Sequence, residues 1–425
     1  MNTKSTIVNN INNNIHSLMI LCLSMGFLLY KYLLQIFPAV MTEQLQASFH
    51  LSAFQLGNLA ACFFYAYFIM QIFSGPLLDR YALKYISSLS IIIAAIGAYL
   101  FSVTNHLWLI LIARVLMGAG AAFATVSYLK MAVIFFDKKY YAVIAGFLTV
   151  GVMIGALCGQ APLAYLVKHS GWQHSTLMIS GIGCIIAICY LLFPKNQTTP
   201  TSSNFFAGLL FIMKKKHNWC LLMYSGFAFA PLAVFGSLWG IPFIQVSDHL
   251  STISASEMVS WLYIGFGVGG VFFGYIAKAS QRLYPSMFIG LAVSFISLCL
   301  FVYSGLTSHI IQTMCLLFLG IGTGAFMLGF NLGKNLNQLL LAATVVAFIN
   351  TGDAFLGGIT DPIIGKILDS THSGNKLLLT DISMHSYHLA FAILPLYLLV
   401  SVFFLLKIKI KYSYKKQQVA LEAAS

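Results

Sequence analysis

The chain has 425 residues, of which 59% are hydrophobic and 8% charged; ordinary soluble domains run about 45–50% and about 25%, so an integral membrane protein is expected, with no soluble domain left over. The formal net charge of +13 does not indicate nucleic acid, because the basic residues are spread through short loops without an aromatic-interleaved basic patch. All eight cysteines lie in apolar runs and none forms a Cys-x-x-Cys pair, so neither a disulfide nor a metal site is expected.

Residues 1–14 are polar and Asn-rich. The apolar run that follows is too long for a signal-peptide core and lacks a clear small-residue cleavage site, so the segment reads as a short cytoplasmic tail. A membrane span needs about 20 apolar residues. Twelve runs qualify: 15–40, 55–76, 86–103, 107–134, 141–167, 174–193, 219–246, 257–277, 285–304, 309–331, 339–366 and 388–406. They do not alternate as barrel strands would, and in lipid the backbone must pair within its own segment. The expected fold class is an all-α membrane protein of twelve transmembrane helices.

Loop charges set the orientation. With the N-terminus in the cytoplasm, the cytoplasmic side holds seventeen Lys and Arg residues and the outer side three, Lys168, Lys366 and Lys376. That is a positive-inside pattern with both termini cytoplasmic. Pro194 to Asn218 is the longest polar cytoplasmic segment and divides the runs six and six. The expected domains are a tail (1–14), a first bundle (15–193), a linker (194–218), a second bundle (219–406) and a tail (407–425).

The halves repeat. Gly75 before Asp79 matches Gly274 before Lys278, Gly118 and Gly120 match Gly320 and Gly322, Gly151 matches Gly352, and Pro162 matches Pro362. These anchors share an offset of 199 to 202 residues and keep their order.

Between the second and third runs stands Gly75-Pro76-Leu77-Leu78-Asp79-Arg80-Tyr81-Ala82-Leu83-Lys84. Its glycine permits close helix approach and a sharp chain exit, and its charges hold the turn in water. The stretch resembles the loop between helices two and three of the major facilitator superfamily, Gly-x-x-x-Asp-Arg-x-Gly-Arg-Arg. Ala82 replaces the second glycine, and Leu83 stands where the first base of the closing pair would be. The second copy, Lys278-Ala279-Ser280-Gln281-Arg282, has no acid. Arg114-Val115-Leu116-Met117-Gly118 resembles the Arg-x-x-x-Gly pattern of the family's fourth helix. Gly146, Gly151, Gly155 and Gly159 before Pro162 resemble its fifth-helix motif without the Gly-Pro pair, which argues mildly against efflux. The resemblance implies two pseudo-symmetric six-helix bundles, a substrate site between them near the midplane, a gating role for Gly75, Asp79, Arg80 and Lys84, and a monomer.

An ionisable residue in mid-membrane costs about 2.5–3.5 kcal/mol on insertion scales and so needs a partner, water or a task. Lys31, Arg114, Lys130, Asp353 and Asp361 stand inside runs. Lys31 sits too deep to snorkel easily, whereas Lys130 is near a run end. In the resembled family, helices one and four line the cavity, which makes Lys31 and Arg114 substrate-binding candidates. Asp353 and Asp361 are candidates for proton coupling, with a helix-locking ion pair as the structural alternative. Tyr30, Tyr32, Tyr65, Gln160 and Trp239 complete the substrate-binding set; Asn58, Gln71, Asn331 and Asn335 are further polar candidates.

No Ser/His/acid constellation, phosphate loop or metal spacing occurs, so neither an enzyme, nor a cofactor, nor direct ATP drive is expected. Tyr30-Lys31-Tyr32, Phe64-Tyr65-Ala66-Tyr67 and Gly159-Gln160-Ala161-Pro162 resemble the phagosomal transporter family of intracellular bacteria and eukaryotic lysosomal dipeptide transporters. What this implies is a secondary transporter of the bacterial inner membrane. It would import a small nutrient, foremost an amino acid, with a proton. A dipeptide or nucleoside importer, a siderophore or drug exporter, and a non-transporting nutrient receptor are the alternatives, in falling order.

Overall fold

The computed structural model describes residues 2–136, 141–192, 205–280, 282–338, 341–371 and 378–422. Among these, all regular structure is helical, as the need to pair every backbone group in lipid requires. The first span consists of α1 (Asn2–Ile36), a 3₁₀ turn at Phe37–Met41 and α2 (Thr42–Phe49). The second is α3 (Ala53–Arg80) and the third α4 (Leu83–Val103). The fourth joins α5 (Leu107–Ala121) to α6 (Ala124–Phe135). The fifth joins α7 (Tyr141–Cys158) to the first part of α8 (Ala161–Leu192), and the rest of α8 is the sixth. After the short α9 (Phe205–Met213), the seventh runs through α10 (Lys216–Val234), a π turn at Phe235–Trp239 and α11 (Gly240–Asp248). The eighth and ninth are α12 (Thr252–Ser280) and α13 (Leu283–Tyr303). The tenth joins α14 (His309–Gly324) to α15 (Leu328–Leu336). The eleventh is α16 (Ala342–Ser370), and the twelfth joins α17 (Met384–Phe391) to α18 (Ile393–Glu422).

Among the described residues, ten helical segments are apolar and long enough to span a bilayer, and one of them, Phe147–Leu192, has 46 residues, enough for two spans. It divides at Gly171, whose φ of 78° and ψ of 160° interrupt α8. Glycine adopts this backbone without a Cβ clash. The expected loop between runs ending at 167 and starting at 174 is therefore a break at one residue. With that division, and with α16 counted, the described residues make twelve spans.

The chain forms two compact units. One comprises Met1–Gln44 and Cys62–Ser202, the other Leu45–Ala61 and Ser203–Ser425. Leu45–Ala61, first-bundle residues by sequence order, is thus grouped with the second unit, and α3 is shared: through Ala61 it belongs to one unit, from Cys62 to the other.

Each unit repeats the other's internal packing, and the matched glycines explain how. In the first unit, a methyl at Gly118 would strike the carbonyl of Phe63 on α3, and one at Gly120 would strike that of Ser90 on α4. In the second, a methyl at Gly320 would strike the carbonyl of Leu262 on α12, and one at Gly322 that of Gly290 on α13. Fourth and tenth spans each press backbone to backbone on two neighbours, which small residues allow. Polar contacts repeat as well. Ser17 Oγ donates to the Phe135 carbonyl at 3.3 Å, tying the start of span one to the end of span four. About 200 residues on, Asn337 Nδ2 donates to Asn218 Oδ1 at 2.8 Å and ties the start of span seven to the end of span ten.

Candidate functional site

The first unit holds the three membrane bases. Arg114 is fully buried on α5. Its Nη1 donates to the carbonyl of Leu34 at 2.7 Å. In a continuing α-helix that carbonyl would accept from residue 38, but Pro38 has no N–H, and α1 gives way to the 3₁₀ turn there. The guanidinium therefore satisfies an acceptor that proline has left open. Its carbon centre also lies 4.9 Å from the ring centroid of Phe63 and 5.1 Å from that of Phe37, within cation–π range.

Lys31 is 5% exposed. Its Nζ lies 3.5 Å from the ring centroid of Tyr32 and 5.0 Å from that of Tyr67 on α3. Two ring faces thus hold an ammonium away from water. Lys130 donates to the Leu78 carbonyl in the last turn of α3, where a cation complements the negative end of the helix.

Tyr30 is buried, with its hydroxyl against Gly183 of α8, where a Cβ would collide with it. Among the described residues that hydroxyl has no hydrogen-bond partner. Tyr65 is exposed, Gln71 is buried, and Gln160 is fully buried at the break between α7 and α8. Arg80, at the end of α3, lies beside Tyr81, and Lys84, at the start of α4, beside Tyr85. Gly75 lies within α3. The side chain of Asp79 lies outside the described residues.

The second unit holds the acids. Asp353 of α16 is buried and accepts from Ser225 Oγ of α10 at 2.8 Å. Close passage of the two helices makes this bond possible, since a methyl at Gly226 would strike the Gly352 carbonyl. Asp361, fully buried eight residues further along, has another neighbour: its carbonyl lies where a methyl on Gly57 of α3 would sit. Trp239, fully buried, ends the π turn, and its indole N–H has no hydrogen-bond partner among the described residues. Asn58 donates back to the Phe54 carbonyl at 2.9 Å. Asn331 and Asn335 are exposed on α15.

Sequence reasoning did not single out three participants. Tyr67, the second ring beside Lys31, stood in the Phe64-Tyr65-Ala66-Tyr67 stretch. Ser225, the donor to Asp353, is one of many serines in apolar helices and carried no signal. The Leu34 carbonyl was legible in principle, because Pro38 leaves an acceptor open four residues earlier.

A family model described as Major Facilitator Superfamily matches residues 19–360. The "Uncharacterized transporter YybO" of Bacillus subtilis is 22% identical over 389 residues, which are 82% of this chain and 86% of that protein. A hexuronate transporter of the same organism is 23% identical over 256 residues, 56% of this chain and 60% of its own length. Among solved structures, a bacterial homolog of the human lysosomal transporter Spinster aligns with a TM-score of 0.72 at 15% identity, covering 93% of this chain and 97% of the other. That likeness concerns the fold.

Proposed function

Because the chain belongs to the major facilitator superfamily, and is therefore a membrane transporter and not an enzyme, we propose that it imports a small carboxylate-bearing nutrient, foremost an amino acid, by proton-coupled alternating access. In this reading the chain lies in a bacterial inner membrane as a monomer, with both termini cytoplasmic.

The observation that carries the proposal is Lys31. A buried ammonium held on two tyrosine faces is a costly feature in a span, and it suits a carboxylate ligand. Arg114 carries less weight than its sequence suggests, because the Leu34 carbonyl and two phenylalanine rings account for it. Asp353 is assigned to the substrate ammonium or to the proton, and Asp361 to the proton. Trp239, whose indole N–H has no hydrogen-bond partner among the described residues, is a further proposed substrate contact. The runner-up substrate is a sugar acid, favoured by the hexuronate-transporting relative; it uses Lys31 without needing a partner for an ammonium.

The deciding experiment is uptake into proteoliposomes of labelled amino acids, dipeptides, nucleosides and a hexuronate, with and without an inward proton gradient. Gradient-stimulated uptake of an amino acid supports the proposal. Uptake of the hexuronate alone selects the runner-up, and uptake of uncharged nucleosides alone overturns both.

A further inference from the structure

The first turn of α3 is capped twice over. Ser52 and Gln55 form a reciprocal pair: Gln55 N donates to Ser52 Oγ at 3.3 Å, and Ser52 N donates to Gln55 Oε1 at 3.0 Å. This is a capping box. The next two backbone donors go elsewhere in the second unit. Ala53 N donates to Asp369 Oδ1 and Phe54 N to Asp369 Oδ2, both at 2.9 Å. One carboxylate from the end of α16 thus takes two N–H groups that no intrahelical carbonyl can reach, and it sets a negative charge at the positive end of α3.

The helices touch where the cap holds them. A methyl at Gly57 would strike the Asp361 carbonyl, and one at Gly365 would strike the Ala53 carbonyl. Both Asp369 and Phe54 are exposed, whereas Leu56, Ala60 and Leu368 are buried. The cap therefore stands at the wet rim of a tight, dry contact. A charged hydrogen bond at such a place favours closure yet can be exchanged for water at small cost.

At the matching positions of the internal repeat the described residues pair locally. The residue 200 positions before Asp369 is His169, whose Nδ1 lies 2.8 Å from the Tyr165 carbonyl of its own helix. At the start of α12, the counterpart of α3, Ser254 N donates to the chain's own Ser251 at 3.2 Å.

We propose that Asp369 is a latch: its carboxylate, by capping α3, holds the outer end of that helix closed on α16 and sets how often this contact opens during the cycle. The role is one of positioning, not of contact with substrate. It rests on the transport reading and its orientation, but its test needs no substrate.

The test uses thiol labelling of the full-length protein in intact cells. Ala60 is buried and lies seven residues, roughly 10 Å, along α3 from the cap. Ala60→Cys should react slowly with a membrane-impermeant maleimide, measured above the labelling of the parent chain. Asp369→Asn and Asp369→Ala should each raise that rate about fivefold, the scale of losing a helix cap. A role limited to the first turn would fray the helix end and leave Ala60→Cys protected. An unchanged rate in both variants, at equal amounts of folded protein, overturns the latch. If Asp369→Ala does not fold, the isosteric Asp369→Asn decides. A second measurement is the rate at which a short bifunctional thiol reagent bridges Phe54→Cys and Ser370→Cys. Asp369→Asn should slow bridging by a similar factor, and no slowing counts against the latch. A protein that shows the labelling change but transports none of the offered substrates fails the transport reading and leaves the latch intact.

Discussion

The account of Arg114 can be tested by returning the hydrogen bond that Pro38 removes. Arg114→Met keeps length and apolar bulk but loses the guanidinium. The bond to the Leu34 carbonyl, 2.7 Å long and from a charged donor, contributes about 1.5–3 kcal/mol. The two ring contacts add roughly 0.5–2 kcal/mol. Relief of the cost of burying a charge offsets part of this. The expected net loss is about 2–4 kcal/mol, seen as a fall on the order of 5 °C in the unfolding midpoint of purified protein in detergent. Pro38→Ala supplies a backbone N–H four residues after Leu34. In that background Arg114→Met should cost about 1–2 kcal/mol less, a coupling that a double-mutant cycle measures. An equal loss in both backgrounds would refute the reasoning. An Arg114 whose chief task is to bind substrate would instead lose affinity in both backgrounds, with no rescue by Pro38→Ala.

If Lys31 docks the substrate carboxylate as proposed, Lys31→Ala removes a charge-assisted hydrogen bond, about 1.5–3 kcal/mol, so affinity should fall about ten- to a hundredfold, and Lys31→Arg should recover only part. An amidated analogue should bind poorly to the native protein and lose little more in the variant; equal fractional losses for acid and amide would sink the carboxylate reading. Asp353→Asn should abolish uptake against a gradient and keep counterflow, which needs no net proton movement; accumulation persisting in both Asp353→Asn and Asp361→Asn would place coupling elsewhere. Asp79→Asn should leave insertion and substrate binding intact and slow net transport, and unchanged uptake kinetics would remove the gating role expected from the loop's family resemblance. Gly118→Ala and Gly320→Ala should destabilise alike, each by about 1–3 kcal/mol from overpacking, because each added methyl meets an equivalent carbonyl in its own unit; a drop in unfolding midpoint for only one of them would contradict the repeated packing.

Composition and periodicity by themselves determined the spans. A bilayer imposes the same requirement on every crossing segment, about 20 apolar residues with their backbone paired inside the segment, so a local average of hydropathy is enough. The repeat was also legible, because Gly118, Gly120, Gly320 and Gly322 mark places where two backbones meet, and no larger residue fits there. Other features were settled only by the folded chain. Arg114 and Leu34 are 80 residues apart, and Ser225 and Asp353 are 128 apart. Hydropathy describes one residue at a time, whereas the partner of a buried charge depends on which helices become neighbours and at what rotation. Leu45–Ala61 is the plainest case. Chain order places it in the first bundle, yet its part of α3, through Ala61, groups with the second unit, where it meets Asp369, Gly365 and the Asp361 carbonyl. Packing and capping act through space, so a carboxylate more than 300 residues away in the chain can serve as the cap.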